Sequence, residues 1–136
     1  MIEINNLTNF PVDKKSFSQV AKFVLKGENK ESEKISLAFV EKEEIEKLNK
    51  TFRKKNKPTD VLSFELNEEG CLGEIVICPD IVKENAKKYG VSVNYEINKV
   101  FIHGILHLLG YDHEKSEEEA LIMEQKQEKY LSKISK

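Results

Sequence analysis

The stretch HGILHLLGYDH, residues 103–113, contains all three histidines of the chain. It overlaps an apolar run over 97–109 that leaves no consistent wet face, a pattern typical of a buried helix. His103 and His107 are four residues apart, so they lie one turn apart on the same side of that helix. Buried imidazoles without polar partners are costly, and a shared metal ion would satisfy both rings.

The third histidine strengthens the metal-site prediction. In a continuous helix, His113 would lie about 120° around the axis from His107 and could not converge with the pair. Gly110 is expected to adopt the left-handed conformation that ends a helix, and beyond that turn His113 can face the other two rings. Three neutral nitrogen ligands with an open fourth position are typical of catalytic zinc. The alternative is three ordinary histidines, one that caps the helix and two that pack in the core. The presence of three histidines at these spacings disfavours it.

The same spacing occurs in a protease signature, H-E-x-x-H-x-x-G-x-x-H. The chain matches its three histidines and its glycine, but it has Gly104 in place of the glutamate that acts as general base. A peptidase is therefore disfavoured, because the carboxylate that deprotonates the attacking water is missing. The missing negative charge also favours an anionic substrate such as a phosphodiester.

A length of 136 residues indicates one domain over 1–136. The surface is expected to be well solvated, since 39% of residues are hydrophobic and 34% are charged. The formal net charge of −2 means that any contact with nucleic acid must come from a local patch. We expect no contact with a membrane, because the chain has neither an apolar run of about 18 residues nor a signal-peptide pattern. Cys71 and Cys78 are expected to be buried thiols rather than a disulfide or a ligand pair, which suits a cytoplasmic location.

The order of predicted elements is β-α-β-α-β-β-α-α-α. This order indicates an α/β (α+β) fold, with a small mixed sheet of about four strands packed with about five helices. We expect Asp13 to cap the first helix, Pro58 to end any continuation of the second, and Gly90 to close the third. Tyr89 is expected to face inward from the third helix. The predicted strands are 2–8, 35–39, 61–66 and 72–78, with a hairpin turn over 67–70; the predicted helices are 14–26, 43–55, 80–89, 97–109 and one that begins after Ser116.

The segment KTFRKKNK, residues 50–57, is a second candidate site. It carries five basic residues in eight, including the one arginine among the 22 basic residues of the chain. Arg53 offers a planar fork that grips a phosphate bidentately, as lysine cannot, so we expect it to clamp phosphate. Alternatives are a solvated helix end, where the dipole favours cations, and a structural ion pair. Four lysines of this segment would bind the phosphates that flank the clamped one in a salt-sensitive manner, namely Lys50, Lys54, Lys55 and Lys57.

Two aspartates near these segments have open roles. Asp60 could orient Arg53 or accept backbone hydrogen bonds in its turn, and the second is the commoner use. Asp112 could hold the His113 ring from behind or cap the turn after Gly110.

Three stretches together resemble the YbeY family of bacterial metal-dependent endoribonucleases. They are LNKTFRKKNKPTDVLSF at 48–64, LGEIVIC at 72–78 and HGILHLLGYDHE at 103–114. The chain departs slightly at Lys57-Pro58, where the family more often has an acidic residue and a variable one. The resemblance implies a zinc ion on His103, His107 and His113, and these ligands together with Arg53 as the catalytic residues.

The resemblance also implies a substrate and partners. These are single-stranded RNA, a role in maturing the 3′ end of 16S ribosomal RNA and in ribosome quality control, and contact with the small ribosomal subunit or its assembly proteins. The residues themselves support something narrower, a three-histidine metal site beside a phosphate clamp. Two alternatives therefore stay open: a ribosome-assembly factor with a non-catalytic zinc, and a zincin-like metallohydrolase that acts on another class of substrate.

Overall fold

The computed structural model describes residues 2–134, except for the side chain of Asn67. The predicted domain 1–136 also includes Met1, Ser135 and Lys136, which lie outside the described residues. The predicted element order and the α+β class are confirmed. The strands are β1 (Ile2–Asn6), β2 (Lys34–Phe39), β3 (Val61–Glu68) and β4 (Cys71–Ile77); the helices are α1 (Lys14–Gly27), α2 (Lys42–Arg53), α3 (Pro79–Tyr89), α4 (Val93–Leu108) and α5 (Glu117–Ile134).

The four strands form one mixed sheet in the order β1-β2-β4-β3. β1, β2 and β4 are parallel, with Ile4 beside Leu37 and Leu37 beside Ile75. β3 pairs antiparallel with β4 at the edge of the sheet. Because β3 extends to Glu68, the predicted turn over 67–70 narrows to Glu69 and Gly70.

The main core lies between the sheet and the helices α1 and α4, and α5 packs against α4. The ring of Phe17 packs edge-on against Phe39 at 5.2 Å and against Phe101 at 5.3 Å between ring centroids, which joins α1, β2 and α4. The helix that carries the histidines buries more of its residues than any other described helix. Those residues are Glu96, Ile97, Val100, Phe101, Ile102, Gly104, Ile105, Leu106 and Leu108.

A smaller core lies on the opposite face, beneath α2. It contains Ile45 of α2 with Leu62 and Val76 of the sheet, together with the buried thiol of Cys78. Burial raises the pKa of this thiol. Both cysteines are free, as predicted, although Cys71 is only half-buried.

Capping side chains and glycines set most of the element ends, as predicted. Oδ1 of Asp13 accepts a hydrogen bond from the Ser16 amide at the start of α1, and Oγ of Ser116 accepts one from the Glu119 amide before α5. Gly90 ends α3 at φ 69° and Gly110 follows α4 at φ 104°, both left-handed.

Three predicted boundaries are corrected. β1 ends at Asn6 rather than 8, because Oδ1 of Asn6 accepts a hydrogen bond from the Thr8 amide and turns the chain. α2 ends at Arg53, since Lys54 adopts a left-handed conformation four residues before Pro58. α4 begins at Val93 rather than 97, because Oγ of Ser92 caps it.

One predicted orientation is also wrong. Tyr89 does not face inward; it is the last residue of α3, it is 56% exposed, and it borders the cleft described below. Among residues 2–134, none of the helices combines the length and the apolar character that crossing a bilayer needs.

Candidate active site

The two histidines of α4 are held beside the edge of the sheet by a close approach of helix and strands. Oγ of Ser63 in β3 donates a hydrogen bond to the carbonyl oxygen of Gly104, at 3.3 Å. A Cβ at Gly104 would lie only 3.0 Å from Cγ2 of Ile75 in β4. Position 104, which holds the general base in the protease signature, therefore packs against the sheet, and any side chain there would require Ile75 to shift.

The turn after α4 brings the third histidine back to the first two. The Gly110 amide donates to the His107 carbonyl at 3.1 Å, and the Tyr111 amide donates to that of Leu106 at 3.1 Å. These bonds satisfy helix-end carbonyls and reverse the chain. The centroid of the His113 ring lies 5.2 Å from that of His103 and 6.4 Å from that of His107.

The three rings border one cleft, but as placed they do not form a finished ligand set. Within the described part of the chain, no three His, Cys, Asp or Glu side chains stand close enough together to hold a metal ion. The His113 side chain is 44% exposed, and its Nε2 lies 3.7 Å from Oε1 of Glu114. Joint coordination would require a side chain to move, and His113 has space to turn.

His103 is held in the form that a metal ligand needs. Its Nδ1 donates a hydrogen bond to Oε1 of Gln127 on α5, at 2.9 Å, so the ring proton lies on Nδ1 and Nε2 keeps its lone pair. Burial lowers the pKa of His103, although the bond to Gln127 opposes this effect. The ring is therefore neutral at pH 7, as metal binding requires.

His107 offers a test of whether a metal ion suits the site. Its Nδ1 is buried and has no hydrogen-bond partner among residues 2–134. A buried polar ring without a partner costs free energy, and a cation bound to the ring would give it a strong polar interaction. Together with the neutral His103, this unpaired ring fits a metal ion in the cleft.

Arg53 borders the same cleft as the three histidines. Its Nη2 lies 3.9 Å from Oε1 of Glu114, the same carboxylate oxygen that approaches His113. This pair is long and more than a third exposed on both sides, so its contribution to stability is small. The guanidinium is therefore available to an anionic ligand that enters the cleft.

The lysines of 50–57 divide into two pairs. Lys55 and Lys57 border the cleft, whereas Lys50 and Lys54 do not. Asn49, buried in α2, fixes the loop that carries the first pair: its Nδ2 donates to the Lys57 carbonyl at 2.8 Å, and its own carbonyl accepts from the Lys55 amide at 3.3 Å.

The two aspartates adopt local roles. Among the described residues, Asp60 makes no ion pair with Arg53; its Oδ1 instead accepts a hydrogen bond from Oγ1 of Thr59 at 3.3 Å, and neither predicted role is seen. Oδ1 of Asp112 accepts a hydrogen bond from the Glu114 amide at 2.9 Å. Of the two roles left open for Asp112, the structure therefore shows the one within the turn after Gly110.

Comparison with known proteins assigns the family. The model of the family described as Endoribonuclease YbeY matches residues 3–135. The chain belongs to the YbeY family. The resemblance read from three stretches of sequence is thereby confirmed, and so is the enzyme class, because the family is one of nucleases that act on RNA.

Individual YbeY relatives agree with the family match. Endoribonuclease YbeY of Bdellovibrio bacteriovorus is 48% identical over 102 residues, which cover 75% of this chain and 67% of the relative. Endoribonuclease YbeY of Aquifex aeolicus is 45% identical over 106 residues, or 75% of this chain and 71% of the relative. The solution structure of TM1509 from Thermotoga maritima superposes with a TM-score of 0.73 at 37% identity, and the match covers 98% of this chain and 89% of that one.

Sequence reasoning missed two polar residues that organise this YbeY site, Gln127 and Asn49. A signal for each was present. Gln127 is four residues after buried Met123, and Asn49 is four residues after buried Ile45, so both lie on the inner faces of their helices. A polar residue in an apolar stripe indicates a buried hydrogen bond, but the sequence does not say which partner it meets.

Proposed function

We propose that this YbeY-family protein cleaves single-stranded RNA in the cleft bordered by His103, His107, His113 and Arg53, with a zinc ion held by the three histidines. One observation carries the proposal: three imidazole rings and the only arginine of the chain meet at one cleft of about 390 Å³. Membership of an endoribonuclease family supports RNA as the substrate.

The histidines and Arg53 would have separate roles. Nε2 of the neutral His103, the ring of His107 and the half-exposed ring of His113 would hold the ion. When bound, zinc supplies a double positive charge that stabilises negative charge on a phosphate and makes a water molecule more acidic. Arg53 would grip two oxygens of the phosphate that is cut and stabilise the charge that develops on it, exchanging its long contact with Glu114 for the stronger bidentate pair.

The attacking group is either a water molecule or the 2′-hydroxyl of the RNA, and the product ends distinguish them. A cyclic phosphate identifies attack by the 2′-hydroxyl, whereas a plain monoester identifies attack by water. Lys55 and Lys57 would bind flanking phosphates, and because the chain has a net charge of −2 this attraction is local. We therefore expect binding to weaken steeply with salt.

The biological substrate that we propose is the precursor of 16S ribosomal RNA, processed near its 3′ end in the cytoplasm. The small ribosomal subunit or its assembly proteins would present this RNA to the cleft. A peptidase is disfavoured because Gly104 stands where the protease signature has its general base. A non-catalytic zinc in an assembly factor is the remaining alternative, and the following experiment separates it from an enzyme.

The experiment measures zinc content and RNA cleavage for the native chain and for Arg53→Ala and Arg53→Lys. We expect Arg53→Ala to keep its zinc but to lose about 10²- to 10³-fold in kcat/KM, the effect of removing one donor to a developing negative charge. Arg53→Lys should recover only part of this loss, because lysine does not bind two oxygens in a plane. Lys47→Ala, an exposed lysine of the same helix outside the cleft, serves as the control.

Two outcomes would overturn the proposal. Equal cleavage by the native chain and Arg53→Ala would remove Arg53 from the site. Zinc binding without cleavage of single-stranded RNA by the native chain would favour the non-catalytic factor.

A further inference from the structure

We propose that the part of the cleft bordered by Tyr89, Asn85 and Glu96 binds one base of the RNA, which stacks on Tyr89 and hydrogen-bonds to Glu96. This inference rests on the proposed function, because it assigns a second part of the same cleft to the same substrate. None of these three residues has a role in holding the metal ion or in gripping the phosphate.

Glu96 is the first observation. Its side chain is 2% exposed, it borders the cleft, and its Oε1 is buried without a hydrogen-bond partner among residues 2–134. Leaving a buried carboxyl oxygen unpaired costs free energy, and such a group in a cleft points to a ligand that satisfies it. Burial raises the pKa of Glu96, with Lys99 opposing and Asp60 reinforcing the effect. The carboxyl group can accept a hydrogen bond from the edge of a nucleobase, and in its protonated form it can also donate one.

Tyr89 is the second observation, and it is independent of the first. It is a large aromatic residue at the end of α3, 56% exposed, and it borders the cleft. Aromatic side chains on which bases stack are the usual platform for single-stranded nucleic acid. Nζ of Lys99 and Nζ of Lys88 lie over its ring, 5.6 Å and 5.8 Å from the centre. A base that stacks on this ring would take the place of one ammonium group, and both lysines would then be available to the neighbouring phosphates.

Asn85 is the third residue of this part of the cleft. It lies on α3 four residues before Tyr89 and borders the cleft, and its side-chain amide can both donate and accept hydrogen bonds. An aromatic ring, an amide, a buried carboxyl and nearby lysines together match the chemistry of a nucleotide, which has a flat polar base and an anionic backbone. An apolar or cationic ligand would use neither the lysines nor the paired donor and acceptor.

The position along α4 connects this part of the cleft to the proposed cleavage site. Glu96 is seven residues before His103, which places both on the same side of the helix about 10 Å apart along its axis. A base bound at Glu96 therefore belongs to a nucleotide near the phosphate that is cut, and base identity there would influence where the RNA is cleaved.

The test is an abasic scan of binding with the intact zinc-loaded protein. A short fluorescent single-stranded RNA carries one abasic position that is moved along the strand, and cleavage of the same samples is followed on gels. For the native chain we expect one position at which loss of the base weakens binding by between about 5-fold and about 100-fold, the range measured for base–aromatic stacking. Tyr89→Ala should lose a similar factor and become insensitive to the abasic position, whereas Tyr89→Phe should behave like the native chain.

Three further variants probe the hydrogen bonds and the specificity of the result. Glu96→Ala should lose the preference for one base at the sensitive position, while Glu96→Gln, which keeps a donor and an acceptor, should retain it. Leu7→Ala, an exposed large apolar residue outside the cleft, is the matched control for Tyr89→Ala and should match the native chain.

The inference would be overturned if the native chain bound the RNA equally well at every abasic position. It would also be overturned if Tyr89→Ala stayed as sensitive as the native chain to the same abasic position. Retention of the base preference by Glu96→Ala would remove Glu96 from base recognition and leave its carboxyl a hydrated structural group. Binding and cleavage are measured separately. If one abasic position weakens binding but the RNA is not cleaved, the result would count against the proposed function alone.

Discussion

Asn49, Glu96 and Gln127 are buried polar residues, and all three border the cleft. Each lies on the inner face of a helix, so its burial could be read from helical spacing alone. Their partners could not be predicted in this way. Asn49 reaches across a loop to Lys57 and Gln127 reaches another helix at His103, so these bonds exist only once the chain has folded.

The buried carboxyl group of Glu96 leads us to predict how the stability of the chain depends on pH. With its pKa raised by burial, the folded chain binds the proton more tightly than the unfolded chain, so stability falls as pH rises from the usual value through the raised one. Glu96→Gln removes this fall, although Lys99 and Asp60 remain beside the position. We expect the variant to be more stable than the native chain by about 1 kcal/mol at about pH 8, with a smaller difference at about pH 5.

Urea unfolding at the two pH values measures this difference. Glu124→Gln, an exposed glutamate of α5, is the control and should show no comparable gain. The same pH dependence in the native chain and in Glu96→Gln would contradict the assignment of a costly buried carboxyl.

At the scale of elements, Glu28 joins three parts of the chain that hold the His113 segment. It caps the end of α1, and its side chain is 8% exposed. Oε1 accepts from the hydroxyl of Tyr111 at 2.5 Å, and Oε2 accepts from the hydroxyl of Tyr130 and from Nζ of Lys126. Burial alone would raise the pKa of Glu28, but these donors lower it. The stability it contributes is therefore present above the usual carboxyl pKa and is lost as pH falls through and below that value.

Tyr111→Phe tests this connection. Tyr111 is two residues before His113, so we expect loss of its hydroxyl to lower the free energy of unfolding by about 1–3 kcal/mol and to speed hydrogen exchange over 109–116. Tyr95→Phe is the matched control, because the Tyr95 hydroxyl makes no hydrogen bond within residues 2–134. Equal stability and exchange in the two variants would show that the Glu28 contacts do not hold the turn.

Element ends were predictable where one residue decides them. Asp13, Gly90, Gly110 and Ser116 act locally, and each ends or begins its helix as expected. The end of α2 was not predictable, because a lysine adopts a left-handed conformation there without the glycine that usually signals it. The exposure of Tyr89 was also missed, since helical spacing does not show where the neighbouring elements stop.

At the scale of the whole molecule, the sequence predicted the class of fold but not the pairing of its strands. Alternation and turns indicated four strands, yet nothing local says that β4 inserts between β2 and β3. That order follows from pairing across long loops, as in Leu37 beside Ile75. It matters for function, because it leaves β3 at the edge, where Ser63 meets α4 and Asp60 borders the cleft.

Zinc titration of the intact chain tests most directly whether the two histidine rings of α4 and the ring of His113, beyond the turn, act as one ligand set. Competition with a chelator should show one zinc per native chain, with affinity lowered by more than about 100-fold in each of His103→Ala, His107→Ala and His113→Ala, a greater loss than residues behind the ligands cause. Cys71→Ser, which alters a half-buried thiol outside the cleft, should bind like the native chain. Zinc binding by His113→Ala with native affinity, or no zinc binding by the native chain, would contradict the account.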